Sequence, residues 1–227
     1  MIINFNILRG YPCDIEMDLE PEAKKYKSFG DTLANLGSMK VALQINEPFS
    51  ASFGVKHRLE SHKYKSQMLS QHIGNSKYMI GKYGKPKPVI EAVDFNISHC
   101  ARAVAFAISS RGKIGVDIEP RNRFVSSKIF KWLYNNREIP HAGSTAPAHR
   151  LIAWTLNEAF FKACGVGLQE RAIGFAAENV LKGKVVNVGP QSLLYWCAFR
   201  RWVLMTLITE RYVVSLAVRQ NNNLINN

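Results

Sequence analysis

Two patterns of apolar and polar positions recur along the 227-residue chain, one with a period of two and one with helical spacing. Ala103 to Ser109 alternates small and large residues, Ser110-Arg111-Gly112 has turn chemistry, and Lys113 to Glu119 alternates again, so this stretch predicts a β-hairpin. Ile152, Leu156, Ala159, Phe160 and Ala163 predict a helix over Leu151 to Cys164 with one apolar stripe to bury. Arg58 to Ile73, stopped by Gly74-Asn75-Ser76, and Ser127 to Asn135 also read as helices. Lys184 to Val188, Trp202 to Thr209 and Tyr212 to Val218 read as strands. Residues 14–27 run from acidic to basic and read as a surface segment compatible with a helix, whereas Tyr83-Gly84-Lys85-Pro86-Lys87-Pro88 reads as a loop because two prolines and a glycine resist regular structure. The Asn-rich tail after residue 219 reads as disordered. Strands and helices mixed without a βαβ rhythm predict an α+β fold.

Composition narrows the class. At 47% hydrophobic and 21% charged the chain can bury a core, which excludes intrinsic disorder and fibrous repeats. Four cysteines without a C-x-x-C pair, an N-terminus without a signal-peptide pattern and the lack of any long apolar run are read as a soluble cytoplasmic protein. The formal charge of +13 points to an anionic partner without naming it. Much of it is local: residues 56–87 carry Lys56, Arg58, Lys63, Lys65, Lys77, Lys82, Lys85 and Lys87 against one acid, Glu60. A solvated basic face with no ligand is the alternative for that window.

Period-two geometry places Asp117 and Glu119 on one face of their strand, with Ile114, Val116 and Ile118 on the other. In the expected hairpin Asp117 lies opposite Ala105 and Glu119 opposite Ala103, which leaves room above the acids for a ligand; solvent-facing acids on a half-exposed strand are the alternative. Glu158 and Lys162 stand one helical turn apart, away from the apolar stripe, where they form either a surface ion pair or part of a site. Asp117, Glu119 and Glu158 together supply an oxygen set suited to Mg²⁺, and Mn²⁺ accepts the same ligands. Lys162 would then neutralise a transferring phosphate. Ser98 and His99 are adjacent, point in different directions and so make a poor nucleophile–base pair, but they sit at the metal end of the hairpin where a hydroxyl and an imidazole can hold a phosphate. Lys85 and Lys87 add cations on a loop expected to hold them outward.

Phe95-Asn96-Ile97-Ser98-His99, Ile114-Gly115-Val116-Asp117-Ile118-Glu119 and Trp154-Thr155-Leu156-Asn157-Glu158-Ala159-Phe160-Phe161-Lys162, with Tyr83-Gly84-Lys85-Pro86 upstream, resemble in order and spacing the motifs of the 4′-phosphopantetheinyl transferase superfamily in its surfactin type. The resemblance covers roughly residues 56–218. It implies a pseudo-twofold α+β fold of two similar halves, here 1–111 and 112–219 with a disordered tail at 220–227, and an active site in the cleft between them. It implies Mg-dependent transfer of phosphopantetheine from coenzyme A to a serine of an acidic acyl, polyketide or peptidyl carrier protein, with release of adenosine 3′,5′-bisphosphate by a monomeric enzyme. Asp117, Glu119 and Glu158 would be the metal ligands, and Glu158 and Lys162 the catalytic pair. Lys85, Ser98 and His99, with Arg58 and Lys65 upstream, would bind coenzyme A. Two positions depart from the pattern. Cys100 replaces a small hydroxyl residue, and Asn157 replaces a lysine that could reach a phosphate, so Asn157→Lys is expected to preserve or raise turnover.

Two rival readings accompany this one. A degenerate homologue would bind coenzyme A without efficient turnover. A basic nucleic-acid-binding protein is disfavoured, because no nucleic-acid-binding motif such as a zinc finger or RNP sequence is present.

Overall fold

The computed structural model describes residues 2–8, 13–20, 39–46, 66, 78–82, 84–89, 93–109, 112–133, 147–168, 183–189, 192–199 and 202–219. Arg58 and Lys65, the rest of the predicted helix around them save Ser66, and the tail from residue 220 lie outside these.

Two five-stranded antiparallel sheets carry the fold. The first takes β1 (Ile2–Leu8), β2 (Cys13–Glu20), β3 (Met39–Asn46), β6 (Asp94–His99) and β7 (Val104–Ser109) in the order β1-β2-β3-β7-β6. The second takes β8 (Lys113–Pro120), β9 (Lys184–Gly189), β10 (Ser192–Phe199), β11 (Trp202–Ile208) and β12 (Tyr212–Arg219) in the order β8-β12-β11-β10-β9. A small ribbon joins β4 (Tyr78–Ile80) to β5 (Pro86–Pro88), and two helices follow β8: α1 (Ser127–Leu133) and α2 (Pro147–Cys164). The α+β class is as expected, and among the described residues no helix is long and apolar enough to cross a membrane.

Period two organises the layers. Ile114, Val116 and Ile118 of β8 join Val214, Leu216 and Val218 of β12 on one face, which packs against Leu43, Ile45, Ala105 and Ala107 of the first sheet. The opposite face, with Leu204, Val213 and Ala217, packs against the two helices, chiefly at Phe130, Ile152, Leu156 and Ala159. A third cluster, Phe95, Val104 and Phe106, fills the far side of the first sheet.

Three expectations are corrected. The segments 103–109 and 113–119 are strands but not a hairpin: β7 pairs with β3 and β6, β8 pairs with β12, and the chain passes from the first sheet to the second between Ser109 and Lys113. Asp117 is therefore opposite Ser215 and Glu119 opposite Val213, and the small Ala105 and Ala107 make room for core packing rather than for a ligand. Cys13–Glu20 is a strand rather than a helix, its acids alternating with Ile15, Met17 and Leu19. Pro86 and Pro88 do sit in a strand, an edge one of three residues, where the missing proline N–H groups cost little.

Candidate functional site

The edge of β8 meets the edge of β6, and side chains make the joint. On β6, alternate residues point the same way: Asp94 Oδ2 accepts the Ile114 N–H at 2.8 Å, Asn96 Oδ1 accepts the Val116 N–H at 3.0 Å, and the Ser98 hydroxyl donates to Asp117 Oδ1 at 2.9 Å. The two strands thus run side by side in the same direction. Edge N–H groups that a neighbouring strand would satisfy are capped by an aspartate and an asparagine instead. The intervening Phe95 turns to the other face and stacks on Phe106, with ring centroids 6.1 Å apart. One alternating segment therefore closes a core and builds a site.

Lys85 belongs to that joint. The loop does not hold it outward: Lys85 is 8% exposed, and its Nζ donates to Asp94 Oδ2 at 2.6 Å and to the Ile114 carbonyl at 2.8 Å. Burial pushes its pKa below the ordinary lysine value, and Asp94 opposes that shift. In this structure its ammonium is spent on linking the 81–88 loop to β6 and β8. Lys87 stays exposed.

Helix α2 brings the remaining groups. Pro147 opens it at the position where a missing N–H costs nothing, and Gly165, at φ 71°, closes it: the Gly165 N–H donates to the Lys162 carbonyl and the Val166 N–H to the Phe161 carbonyl. Gly115 sets how closely it lies on β8. A Cβ at that position would stand 2.0 Å from the Ala159 carbonyl oxygen and 2.4 Å from the Ala163 nitrogen. Ala159 and Ala163 directly follow Glu158 and Lys162, so this contact fixes both candidate residues against Asp117, two positions along β8. Beneath it a buried hydroxyl chain runs from Thr155 to Ser215 at 2.7 Å and on to Thr206 at 3.0 Å, tying the helix to the sheet.

At the centre, Lys162 Nζ donates to Asp117 Oδ1 at 2.6 Å and to Ser98 Oγ at 3.0 Å. Asp117 is 4% exposed, and its Oδ2 is buried with no partner. Glu119 is ion-paired with Arg123, whose guanidinium also lies over the Trp154 ring, 5.2 Å from its centroid. Glu158 is half-buried; burial raises its pKa above the ordinary carboxylate value and Asp117 adds to this, while Lys162 and Arg123 oppose it. Ser98 is buried in the cluster, and His99, on the opposite face of β6, is exposed at the same end of the joint. Three of the quoted motifs therefore meet in space. Among the described residues no three His, Cys, Asp or Glu side chains gather as a ready-made metal cluster, because lysine and arginine are interposed among the carboxylates.

The pairing bears on pH. A carboxyl whose pKa rises on folding stabilises the fold at acid pH, and that contribution is lost as pH rises through the raised value. In magnesium-free buffer, Glu158→Gln should therefore melt higher than wild type at neutral pH. The gain should shrink to nothing on acidification below the ordinary glutamate range. A gain independent of pH would contradict the assigned environment.

Sequence reasoning passes over Asp94, Asn96 as a strand cap, and Arg123. Asn157, expected beside the site, is 1% exposed and donates from Nδ2 to the Ala153 carbonyl at 2.7 Å, with Oδ1 unpartnered. A lysine there would bury an ammonium rather than reach a phosphate. The exposed setting expected for this position is thereby corrected, and Asn157→Lys should cost about 3 kcal/mol or more in stability, the scale of an uncompensated buried charge, measurable by urea denaturation.

Residues 113–216, a little under half of the chain, match the family model of the 4′-phosphopantetheinyl transferase superfamily. That span holds Gly115, Asp117, Glu119, Glu158 and Lys162, and it begins where β8 begins. No curated protein matches the chain.

Proposed function

We propose that the protein transfers 4′-phosphopantetheine from coenzyme A to a serine of an acidic carrier protein, as a surfactin-type enzyme. The observation that carries this reading is the Lys162–Asp117–Ser98 cluster, with Glu158 beside it, inside the matched segment save for Ser98. The two sheets are read as related halves and their joint as the cleft.

Asp117, Glu158 and Glu119 fit a magnesium ion in kind: Asp117 Oδ2 is a buried oxygen without a partner, and among the described residues the three carboxylates face two nearby cations, Lys162 and Arg123. Bound there, magnesium would polarise the diphosphate of coenzyme A and neutralise its charge. The chain's own groups do the rest. Glu158, one helical turn from Lys162 on α2, takes the proton from the carrier serine, directly or through water. The serine oxygen attacks the phosphorus that bears pantetheine, and the bond to the adenosine 5′-phosphate breaks. Lys162, held by Ser98 and Asp117, offsets the charge on the leaving phosphate, so positioning and electrostatics supply most of the rate. His99 faces solvent at the same end of the joint, where it can meet the nucleotide, while Lys85 acts through Asp94.

Thermal unfolding tests the ligand class. Coenzyme A with magnesium should raise the melting temperature, and oligonucleotides should not; stabilisation by oligonucleotides alone would favour the basic nucleic-acid-binding reading.

A further inference from the structure

Where β8 ends, the surface opens into a cavity of about 780 Å³ that none of the motifs accounts for. Three arginines line it, each from a different turn: Arg102 between β6 and β7, Arg121 just after β8, and Arg211 between β11 and β12. Asn122, Glu210 and Tyr212 complete the wall. Two of the turns are tied together, since the Arg121 N–H donates to the Arg211 carbonyl at 2.8 Å and Arg121 Nη1 donates to the Thr209 carbonyl at 3.3 Å. The spacing of Arg121 and Arg211 is thus set by the fold before any ligand arrives. Pro120 of the wall directly follows Glu119, and Ala101 lies two residues beyond His99, so the groove begins where the candidate site ends.

We infer that this groove docks the acidic face of a folded carrier protein and presents its serine to Glu158 and Lys162; the inference rests on the proposed transfer reaction. All three arginines are exposed, and the groove wall contributes none of the unpartnered buried polar atoms found among the described residues. Solvated guanidiniums hold a lone small anion weakly, but several of them on a fixed frame suit a multivalent acidic surface, where they steer encounter and set orientation. Glu210 on the rim disfavours a bare phosphate and offers a basic residue of the partner a counter-charge. Tyr212 is buried, so no aromatic is displayed in the groove for stacking nucleic-acid bases.

The test pairs two readouts on wild type and on Arg102→Glu/Arg211→Glu, with Arg102→Gln/Arg211→Gln as a milder control. Binding is measured with an acidic apo-carrier protein whose modifiable serine is replaced by alanine, and transfer with the intact carrier. Carrier affinity should fall about tenfold or more in the Glu double variant and less in the Gln variant, and the gap should close as salt approaches about 1 M. KM for coenzyme A should not change. Unchanged carrier affinity, a loss that appears in the coenzyme A KM instead, or a loss of oligonucleotide binding alone would each overturn the docking assignment. Carrier binding that depends on the arginines, without transfer to the intact carrier, would leave the groove standing and overturn the reaction.

Discussion

Lys162→Met is expected to lose about 10²- to 10³-fold in turnover, the usual cost of removing one preorganised charge from a transition state. The same variant should gain more thermal stability from magnesium than wild type does. Lys162 Nζ lies 2.6 Å from Asp117 Oδ1, so it neutralises the carboxylate that a metal would otherwise neutralise. With the ammonium gone, a buried aspartate 4% exposed lacks its cation, which destabilises the free protein and deepens its response to Mg²⁺. Calorimetric melting with and without the ion reads this apart from activity. Turnover that survives the substitution would overturn the catalytic role of Lys162, and an unchanged magnesium response would overturn its role as the resident counter-charge of Asp117.

Gly115→Ala is the second large effect and acts through distance. The added methyl would stand 2.0 Å from the Ala159 carbonyl oxygen, a backbone atom that cannot rotate away. Helix α2 must then lift from β8. Overpacking of this kind costs about 1 to 3 kcal/mol, and contact with backbone places it at the upper end. Because Glu158 and Lys162 ride on the displaced turns, turnover should fall further than stability predicts at temperatures where the variant is still folded. The check is a denaturant midpoint alongside initial rates. Rates that merely track the folded fraction would show that the contact is structural only.

The strand carrying Asp117 and the helix carrying Glu158 are legible in the sequence because each has a clean period. Alternation over 113–119 separates the acids from Ile114, Val116 and Ile118, and the packing follows that division: the apolar three enter the core between the sheets, while Gly115 and a likewise buried Asp117 take the face toward helix α2. The strand's partner is not legible. Turn chemistry at Ser110-Arg111-Gly112 is compatible with a crossing between sheets as well as with a hairpin, and pairing with β12, far along the chain, leaves no local mark. Cys13–Glu20 alternates in plain sight, but its acids draw attention to charge rather than to period. The continuous apolar run of β10, Ser192–Phe199, has no alternation to find.

In the site, Ser98 is visible as a motif residue, while Asp94 is not, since capping a strand edge calls only for an acceptor at the right height. A lysine between a glycine and a proline reads as a surface cation, and only the tertiary contact with Asp94 and Ile114 reveals that Lys85 is buried. Asn157 looks exposed because it falls outside the apolar stripe. Helix α2 packs on β8, β12 and α1 together, and its buried surface takes in Ala153, Thr155 and Asn157 as well.

The proposed reaction is tested most directly by intact-protein mass spectrometry of apo acyl, polyketide and peptidyl carrier proteins incubated with the protein, coenzyme A and magnesium. At least one carrier should gain a single phosphopantetheine on its serine, about 10²- to 10³-fold more slowly with Lys162→Met and not at all without the metal. Coenzyme A binding with no mass gain on any carrier would contradict it and leave a coenzyme-binding homologue without turnover.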